Sequence, residues 1–132
     1  MLKINQPDNY MLFSNWFDEI MKQEWPIGIV AYNFNLYEGL NGTYDIQLVG
    51  TDEYDENDED WTCTDCFTTG ENVYYINRTK DIANWDAGLL YIKKLVKQYL
   101  VDGAYPQTLK KATAIGVGFV DGDIDIIHRG NK

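Results

Sequence analysis

Hydrophobic residues recur at helical spacing in two parts of the chain. In residues 9–25, the apolar positions ahead of Pro26 are Phe13, Trp16, Phe17, Ile20 and Met21. A period of three to four residues predicts an amphipathic helix, which ends near Trp25 because the next residue is proline. The second such pattern reaches about Val101, and its apolar stripe consists of Trp85, Leu89, Ile92, Val96 and Tyr99.

The ends and the interior of this second helix carry further signals. Asn84 or Asp81 can cap its first turn with a side-chain oxygen, and Gly103 is suited to end it. Gly88 lies inside the helix, where a glycine costs about 1 kcal/mol relative to alanine. A close approach between the helix and a sheet would explain why a glycine stands at this position.

Alternating apolar and polar residues predict strands in the remaining segments. Residues 27–39 and 43–51 both alternate and are separated by turn residues, so they predict a β-hairpin. Residues 61–67 and 72–78 predict two short strands. A second hairpin is predicted for residues 113–129, because Asp121-Gly122 is a strong two-residue turn signal.

The register of this second hairpin determines which side chains share a face. Pairing Val120 with Asp123 places on one face Ile115, Val117, Phe119, Ile124 and Ile126. The other face then carries Gly116, Gly118, Asp123 and Asp125. Together the elements predict an α+β fold in a single domain, residues 1–132, with a mostly antiparallel sheet of about five strands built from hairpins. Two amphipathic helices are predicted to pack on one face of that sheet.

The composition indicates a folded chain and restricts the classes of partner that it can bind. Hydrophobic residues make up 45% of the 132 residues, which is ample for a core. Eleven basic and 21 acidic residues give a formal net charge of −10. The basic residues form no stripe that could release counterions from a phosphate backbone, so no nucleic-acid partner is predicted.

The same reading gives an expected location. No apolar run approaches the roughly 20 residues that span a bilayer, and the N-terminal residues lack the apolar run of a signal peptide. We therefore expect a cytoplasmic protein with reduced thiols and no membrane partner.

The most unusual stretch of the sequence lies between the two groups of predicted strands. Seven of the nine residues 52–60 are acidic, namely Asp52, Glu53, Asp55, Glu56, Asp58, Glu59 and Asp60. Such a run is most often a solvated, mobile loop. Tyr54 and Trp61 add aromatic side chains of the kind that anchor interfaces. Residues 52–61 are therefore predicted to bind a basic protein partner by charge complementarity, and Glu38, Asp45 and Asp65 could extend this surface.

Metal and redox chemistry fit the same stretch less well. A calcium loop that starts at Asp52 needs a glycine where Asn57 stands and a glutamate where Cys63 stands. A structural zinc ion needs four ligands, and beyond Cys63 and Cys66 only His128 remains as a nitrogen ligand. A redox C-x-x-C pair normally lies at a helix N-terminus, whereas this segment is acidic and predicted to be extended. No metal site and no cofactor are predicted.

Catalysis is not predicted either. The chain has one histidine and no G-x-S-x-G motif, so no catalytic constellation can be recognised. A general acid and a general base for glycoside hydrolysis cannot be chosen among the 21 acidic residues. The alternative to protein binding is a small-ligand or metal-binding domain that uses a polar strand face, formed by Asn33, Asn35, Asp45 and Gln47.

Four stretches together carry a resemblance to a known class of proteins. They are NWFDEI (15–20), IVAYNFNLYEG (29–39), YDIQLVGTDEYDENDEDWTCTDCF (44–67) and AIGVGFVDGDIDII (114–127). In combination they resemble small acidic bacterial proteins of the immunity type, which neutralise secreted toxins. The resemblance implies a cytoplasmic protein that binds and blocks a cognate toxin, often a nuclease with a basic active site. It assigns no individual residue a role.

Overall fold

The computed structural model of the chain describes residues 9–23, 28–39, 42–63, 65–69, 73–103, 109–120 and 122–130. Its helices are α1 (Asn9–Met21) and α2 (Trp85–Asp102), and its strands are β1 (Ala31–Glu38), β2 (Thr43–Thr51), β3 (Asp65–Thr68), β4 (Tyr74–Asn77), β5 (Ala114–Phe119) and β6 (Asp125–Arg129). Short 3-10 helices, Glu59–Cys63 and Lys80–Ile82, precede β3 and α2.

The strands form one mixed sheet in the order β3-β2-β1-β5-β6. Strand β4 also pairs with β2, so β3 and β4 share its outer edge, one beside residues 49–51 and the other beside residues 43–46. Every pairing is antiparallel except that of β1 with β5, which is parallel from Ala31 and Ala114 onwards. The predicted α+β class and mostly antiparallel sheet are confirmed. The parallel pair at the centre is an arrangement that the sequence did not predict.

Both α-helices pack on one side of the sheet, which we call the front face. The ring of Phe17 from α1 lies 5.4 Å from that of Phe34 on β1 and 4.7 Å from that of Tyr99 on α2, centroid to centroid. All three side chains are fully buried. Burial of each such side chain contributes about 1.5–3 kcal/mol, so these aromatic contacts hold the two helices and the sheet together.

The ends of α2 agree with the predicted signals. The side chain of Asn84 accepts a hydrogen bond from the backbone N–H of Ala87 at 2.9 Å, and the N–H of Gly103 donates to the carbonyl of Tyr99 at 2.8 Å. The predicted apolar stripe is buried or half-buried from Leu89 onwards. Trp85 differs, because it is 39% exposed. It is the first residue of the helix and lies at the rim of the sheet.

The glycine inside α2 lies against a strand, as its position predicted. A Cβ at Gly88 would stand 2.6 Å from ring atoms of Tyr44 on β2. The Tyr44 ring is fully buried, and its hydroxyl donates to the carbonyl of Ile82 at 2.7 Å. The Tyr44 ring is thus fixed by its burial and by the hydrogen bond of its hydroxyl. Only a residue without a side chain fits where this turn of the helix meets the ring.

The β5–β6 hairpin forms, but its register is only partly the predicted one. Pairs 114–129 and 115–128 are as predicted. The register then shifts, so that Gly116 pairs with Ile126 and Val117 with Asp125. A β-bulge of this kind inserts one residue in one strand and reverses the faces beyond it. Of the predicted turn, Asp121 lies outside the described residues.

This shift corrects the predicted faces of β6. Ile124 and Ile126 approach Gly116 on the side of the sheet away from the helices, which we call the back face. Asp125 instead points to the front face, where its carboxylate accepts from the Lys93 ammonium of α2 at 2.9 Å. The predicted grouping of Ile124 and Ile126 with the front-face residues of β5 is therefore wrong.

The predicted strand at residues 61–67 is also shorter than expected. Residues 59–63 form a 3-10 helix, and the described part of this stretch that pairs with β2 is residues 65–68. Local hydrogen bonds favour the turn: Asp58 accepts from the N–H of Asp60 at 3.0 Å, and the hydroxyl of Thr62 donates to the carbonyl of Glu59 at 3.0 Å. The side chains of Cys63 and Cys66, and hence their possible roles, lie outside the part that the structure describes.

Candidate functional site

The acidic segment, residues 52–60, crosses the back face of the sheet. It leaves the end of β2 and reaches the start of β6, where Glu59 accepts a hydrogen bond at 3.0 Å from the backbone N–H of Ile124, the residue before that strand. Arg129 at the end of β6 binds Glu56. Strands β1 and β5 lie between β2 and β6. Because neighbouring strands are about 4.8 Å apart, the segment crosses roughly 14 Å of sheet.

Trp61 attaches the returning end of this segment to the sheet. Its side chain is only 2% exposed, and its ring makes an edge-on contact with that of Tyr54, with the centroids 5.1 Å apart. The indole borders the same cavity as Ile126 of β6 and Ile124, the residue before that strand. Trp61 belongs to the predicted partner-binding residues, but its ring is enclosed. It therefore anchors the acidic segment instead of offering an apolar contact to a partner.

Glu56 joins the segment to β6 through two partners. The Arg129 guanidinium donates to both carboxylate oxygens, at 2.8 Å to Oε1 and 3.0 Å to Oε2, and the Tyr54 hydroxyl donates to Oε2 at 2.5 Å. Burial raises the pKa of the Tyr54 phenol, and its hydrogen bond to the Glu56 carboxylate raises it further. Hydrogen bonding to Glu56 raises the pKa of Arg129. Tyr54 thus stays a donor, and Arg129 a cation, at neutral pH.

Arg129 is the residue of this cluster that the sequence did not reveal. Glu56 and Arg129 are 73 positions apart, and no local pattern connects them. Only the order of the strands brings β6 beneath the acidic segment. Both side chains are at least half exposed, so solvent screens their attraction and the pair contributes little to stability.

The seven carboxylates of the segment are all on exposed residues, at positions 52, 53, 55, 56, 58, 59 and 60. Within the described residues, Glu56 alone among them has an ion pair. Asp55 accepts from the backbone N–H of Asn57 at 2.9 Å, and Asp58 similarly stabilises the turn that follows. The segment therefore presents six carboxylates that have no cation partner among the described residues, on a backbone that is held in place.

Two acidic residues expected to extend this surface have other partners. Glu38 pairs with Arg78 at 3.0 Å, and Asp45 accepts from the hydroxyl of Thr43 at 2.8 Å. Both lie at the turn end of the β1–β2 hairpin, whereas the acidic segment begins at its open end. The structure thus separates them from the start of the segment by the length of the hairpin. The third, Asp65, has its side chain outside the described part.

The polar strand face of the alternative prediction also lies on the back face. Asn33 donates to Asn35 at 2.5 Å, Asn35 donates to Gln47 at 3.3 Å, and the Tyr37 hydroxyl donates to Gln47 at 3.0 Å. Asn33 is buried, and a Cβ on Gly116 would stand 2.5 Å from its Oδ1. These amides bind mainly one another, and Asp45 is not part of their chain.

A cavity of about 400 Å³ separates the acidic segment from β6. Its charged lining includes Glu59, Lys93, Asp125 and Arg129, and its apolar lining includes Trp61, Ile124 and Ile126. Pockets for small molecules usually measure about 300–1,000 Å³, so this cavity could hold a small polar ligand. In the described ranges, no three His, Cys, Asp or Glu side chains are grouped so that they could hold a metal ion.

Comparison of the chain with protein-family models, curated proteins and solved structures finds no match. Among the described helices, none combines the length and the apolar character that crossing a bilayer requires. The candidate site is therefore defined by its own geometry: an acidic segment anchored across a sheet through Glu56, Glu59 and Trp61, with further carboxylates exposed to solvent.

Proposed function

We propose that this protein is a binding module for a basic protein partner, which it contacts through the outer surface of the acidic segment. The observation that carries the proposal is the anchoring of that segment. Six exposed carboxylates without an ion pair among the described residues lie on a backbone held by Trp61, by Glu59 and by Arg129. Charge of this density attracts a cationic surface and accelerates its association.

The anchoring matters because ordering a mobile segment during binding costs free energy. A mobile acidic loop would lose conformational freedom when a partner orders it, and that loss subtracts from affinity. A segment already fixed on the sheet avoids most of this loss. Its carboxylates also repel one another, and a bound cationic surface relieves that repulsion. The first effect favours a specific partner, and the second favours any cationic surface.

The partner that we propose is a cationic toxin, and the role of this protein is that of its stoichiometric inhibitor. The resemblance to immunity-type proteins suggests this class. A row of outward carboxylates supports it chemically, since a nuclease active site presents cationic groups that bind phosphates and can bind carboxylates instead. The protein would then block the toxin by occupying that site, without any chemical reaction of its own.

The test begins with isolation of the partner. The purified protein is immobilised and used to capture proteins from lysate of its native host at low salt, and the bound proteins are released by rising salt. A captured basic protein is then purified and assayed, for example for hydrolysis of nucleic acid. We expect its activity to fall to zero at one equivalent of this protein. Capture of no stoichiometric basic partner would contradict the proposal.

A charge-matched pair of variants locates the contact. The first variant is Asp52→Asn/Glu53→Gln/Asp60→Asn, and the control is Glu19→Gln/Asp81→Asn/Asp102→Asn. The control removes the same charge from exposed positions outside the segment.

We expect the first variant to weaken partner binding about tenfold or more, and to reduce its dependence on salt, because charge pairs across an interface contribute at short range. The control should lose much less affinity. Equal losses would show that net charge matters and the segment does not.

One observation favours a second candidate function, the binding of a small polar ligand. The cavity between the acidic segment and β6 has a suitable volume, about 400 Å³, and both signs of charge in its lining. A ligand bound there would raise the melting temperature, because it binds only the folded state. A thermal-shift screen of small polar metabolites and of calcium and zinc salts, with and without chelator, tests this function directly.

A further inference from the structure

A second surface, at the opposite rim from the start of the acidic segment, is marked by an exposed aromatic ring. Trp85, the first residue of α2, is 39% exposed. One face of its indole stacks on the ring of Phe119, with the centroids 4.6 Å apart and the planes at 17°. The exposed part of the indole is therefore its other face and its edge. The neighbouring Val120 is 49% exposed, so two large apolar side chains meet solvent together.

A narrow cleft runs along this ring. It has a volume of about 150 Å³ and is lined by Leu36, Tyr37, Glu38, Trp85, Phe119 and Val120. The walls are thus aromatic and aliphatic, with one carboxylate. Ligand pockets for small molecules usually measure about 300 Å³ or more. The cleft is too small for such a ligand, but it can accommodate one long side chain of another protein.

The charge around the ring is acidic. A second shallow cavity adjoins the indole and is bordered by three carboxylates, those of Asp86, Asp123 and Asp125. Two of the four acidic residues around Trp85 are neutralised, since Arg78 pairs with Glu38 and Lys93 with Asp125. Asp86 and Asp123 have no ion pair among the described residues. An exposed indole with two uncompensated carboxylates beside it fits a cationic side chain.

We propose that the Trp85 cleft binds an arginine side chain of the basic partner. The guanidinium group lies on the free face of the indole, and its charge is balanced by Asp86 and Asp123. The methylene groups of the arginine side chain contact Val120 and Tyr37. A planar cation over a tryptophan ring is the most favourable of the cation–π pairs, and arginine forms it more often than lysine. The inference rests on the proposed function in one respect, namely that the partner is basic.

Fluorine NMR reports on this cleft separately from the acidic segment. The chain has four tryptophans, so incorporation of 5-fluorotryptophan gives one resonance for each, and Trp85→Phe identifies the resonance of Trp85. The probe is a short acetylated peptide of Arg-Gly-Gly repeats. Its control is the same peptide with citrulline, the neutral isostere, in place of arginine. We expect the arginine peptide to shift the Trp85 resonance saturably, and the citrulline peptide to leave it unchanged.

Two variants test the site. Trp85→Ala should weaken binding of the arginine peptide about tenfold, as removal of a central aromatic contact commonly does. Val120→Lys adds a positive charge at the mouth of the cleft without removing a buried group, and we expect a similar loss. Leu90→Ala is the matched control, since Leu90 is 54% exposed on the same helix and does not line the cleft. It should bind the peptide like the native protein.

The outcomes separate this inference from the proposed function. Binding of the arginine peptide with no response at Trp85, or with equal affinity in Val120→Lys, would overturn the cleft and leave the basic-partner proposal standing. Equal shifts by the citrulline peptide would also overturn it. If instead the cleft binds as expected but the variant of residues 52, 53 and 60 keeps full affinity for the isolated partner, the acidic segment is not the contact surface and the cleft remains.

Discussion

Gly88→Ala is expected to lower the free energy of unfolding by about 2 kcal/mol, although alanine is the better helix former by about 1 kcal/mol. The added Cβ would stand 2.6 Å from ring atoms of Tyr44. Tyr44 cannot move aside easily, because its ring is fully buried and its hydroxyl binds the carbonyls of Ile82, Ala83 and Asn84. Overpacking of this kind costs about 1–3 kcal/mol, so the steric cost outweighs the gain in helix propensity.

A double-mutant cycle in urea separates the two effects. In a Tyr44→Leu background the ring is absent, and Gly88→Ala should become neutral or stabilise by up to about 1 kcal/mol. In a Tyr44→Phe background the ring remains, and the substitution should still destabilise. If Gly88→Ala stabilises the otherwise native protein, the close packing of α2 on β2 described above is incorrect.

Trp61→Ala is expected to cost about 3 kcal/mol of stability and to release the acidic segment from the sheet. The indole is 2% exposed and contacts Tyr54 from its edge. Its removal leaves a larger void between the segment and β6, beside the cavity that the indole already borders. Faster hydrogen exchange at residues 51–62, measured together with urea unfolding, would identify where the loss occurs. Trp85→Ala is a suitable comparison, and its smaller burial predicts a smaller loss.

The same substitution has a consequence for binding that distinguishes it from the charge variants. Trp61→Ala changes no charge, yet the segment that it frees would have to be ordered again by a partner. We expect weaker binding to the isolated partner with an unchanged dependence on salt. Trp61→Phe, which keeps an aromatic anchor, should recover part of both losses. Unaltered affinity in Trp61→Ala would mean that the fixed geometry of the segment is unimportant for recognition.

Features that depend on neighbouring residues could be predicted from the sequence. The caps of α2 follow from Asn84 and Gly103, and the β1–β2 hairpin follows from two alternating runs around a turn. The glycine at position 88 also indicated its close contact. For the caps and the hairpin the signal lies within a few positions of the feature, and the tertiary structure agrees with the local preference. Gly88 indicated a close contact with the sheet but not its distant partner, Tyr44.

Features that depend on residues far apart in the sequence could not be predicted from it. The parallel pairing of β1 with β5 joins strands about eighty residues apart. A prediction that builds the sheet from hairpins gives no indication of this pairing. The bulge beside Gly116 shifts β6 by one residue, which is enough to move Ile126 to the back face. The anchor of the acidic segment depends on both, since the strand order brings Arg129 beneath the segment and the bulge turns Ile126 towards the cavity that Trp61 borders. Its charge could be predicted, whereas its position across the sheet could not.

Some residues of the acidic segment face the sheet and others face outward. This division affects which substitutions the protein can accept during evolution. Trp61 and the backbone contact of Glu59 face the sheet, while Asp52, Glu53 and Asp60 face outward. Substitutions among the outward residues leave the anchor intact. Under the proposed function, a lineage could therefore change its partner through a few surface substitutions while the fold stays stable.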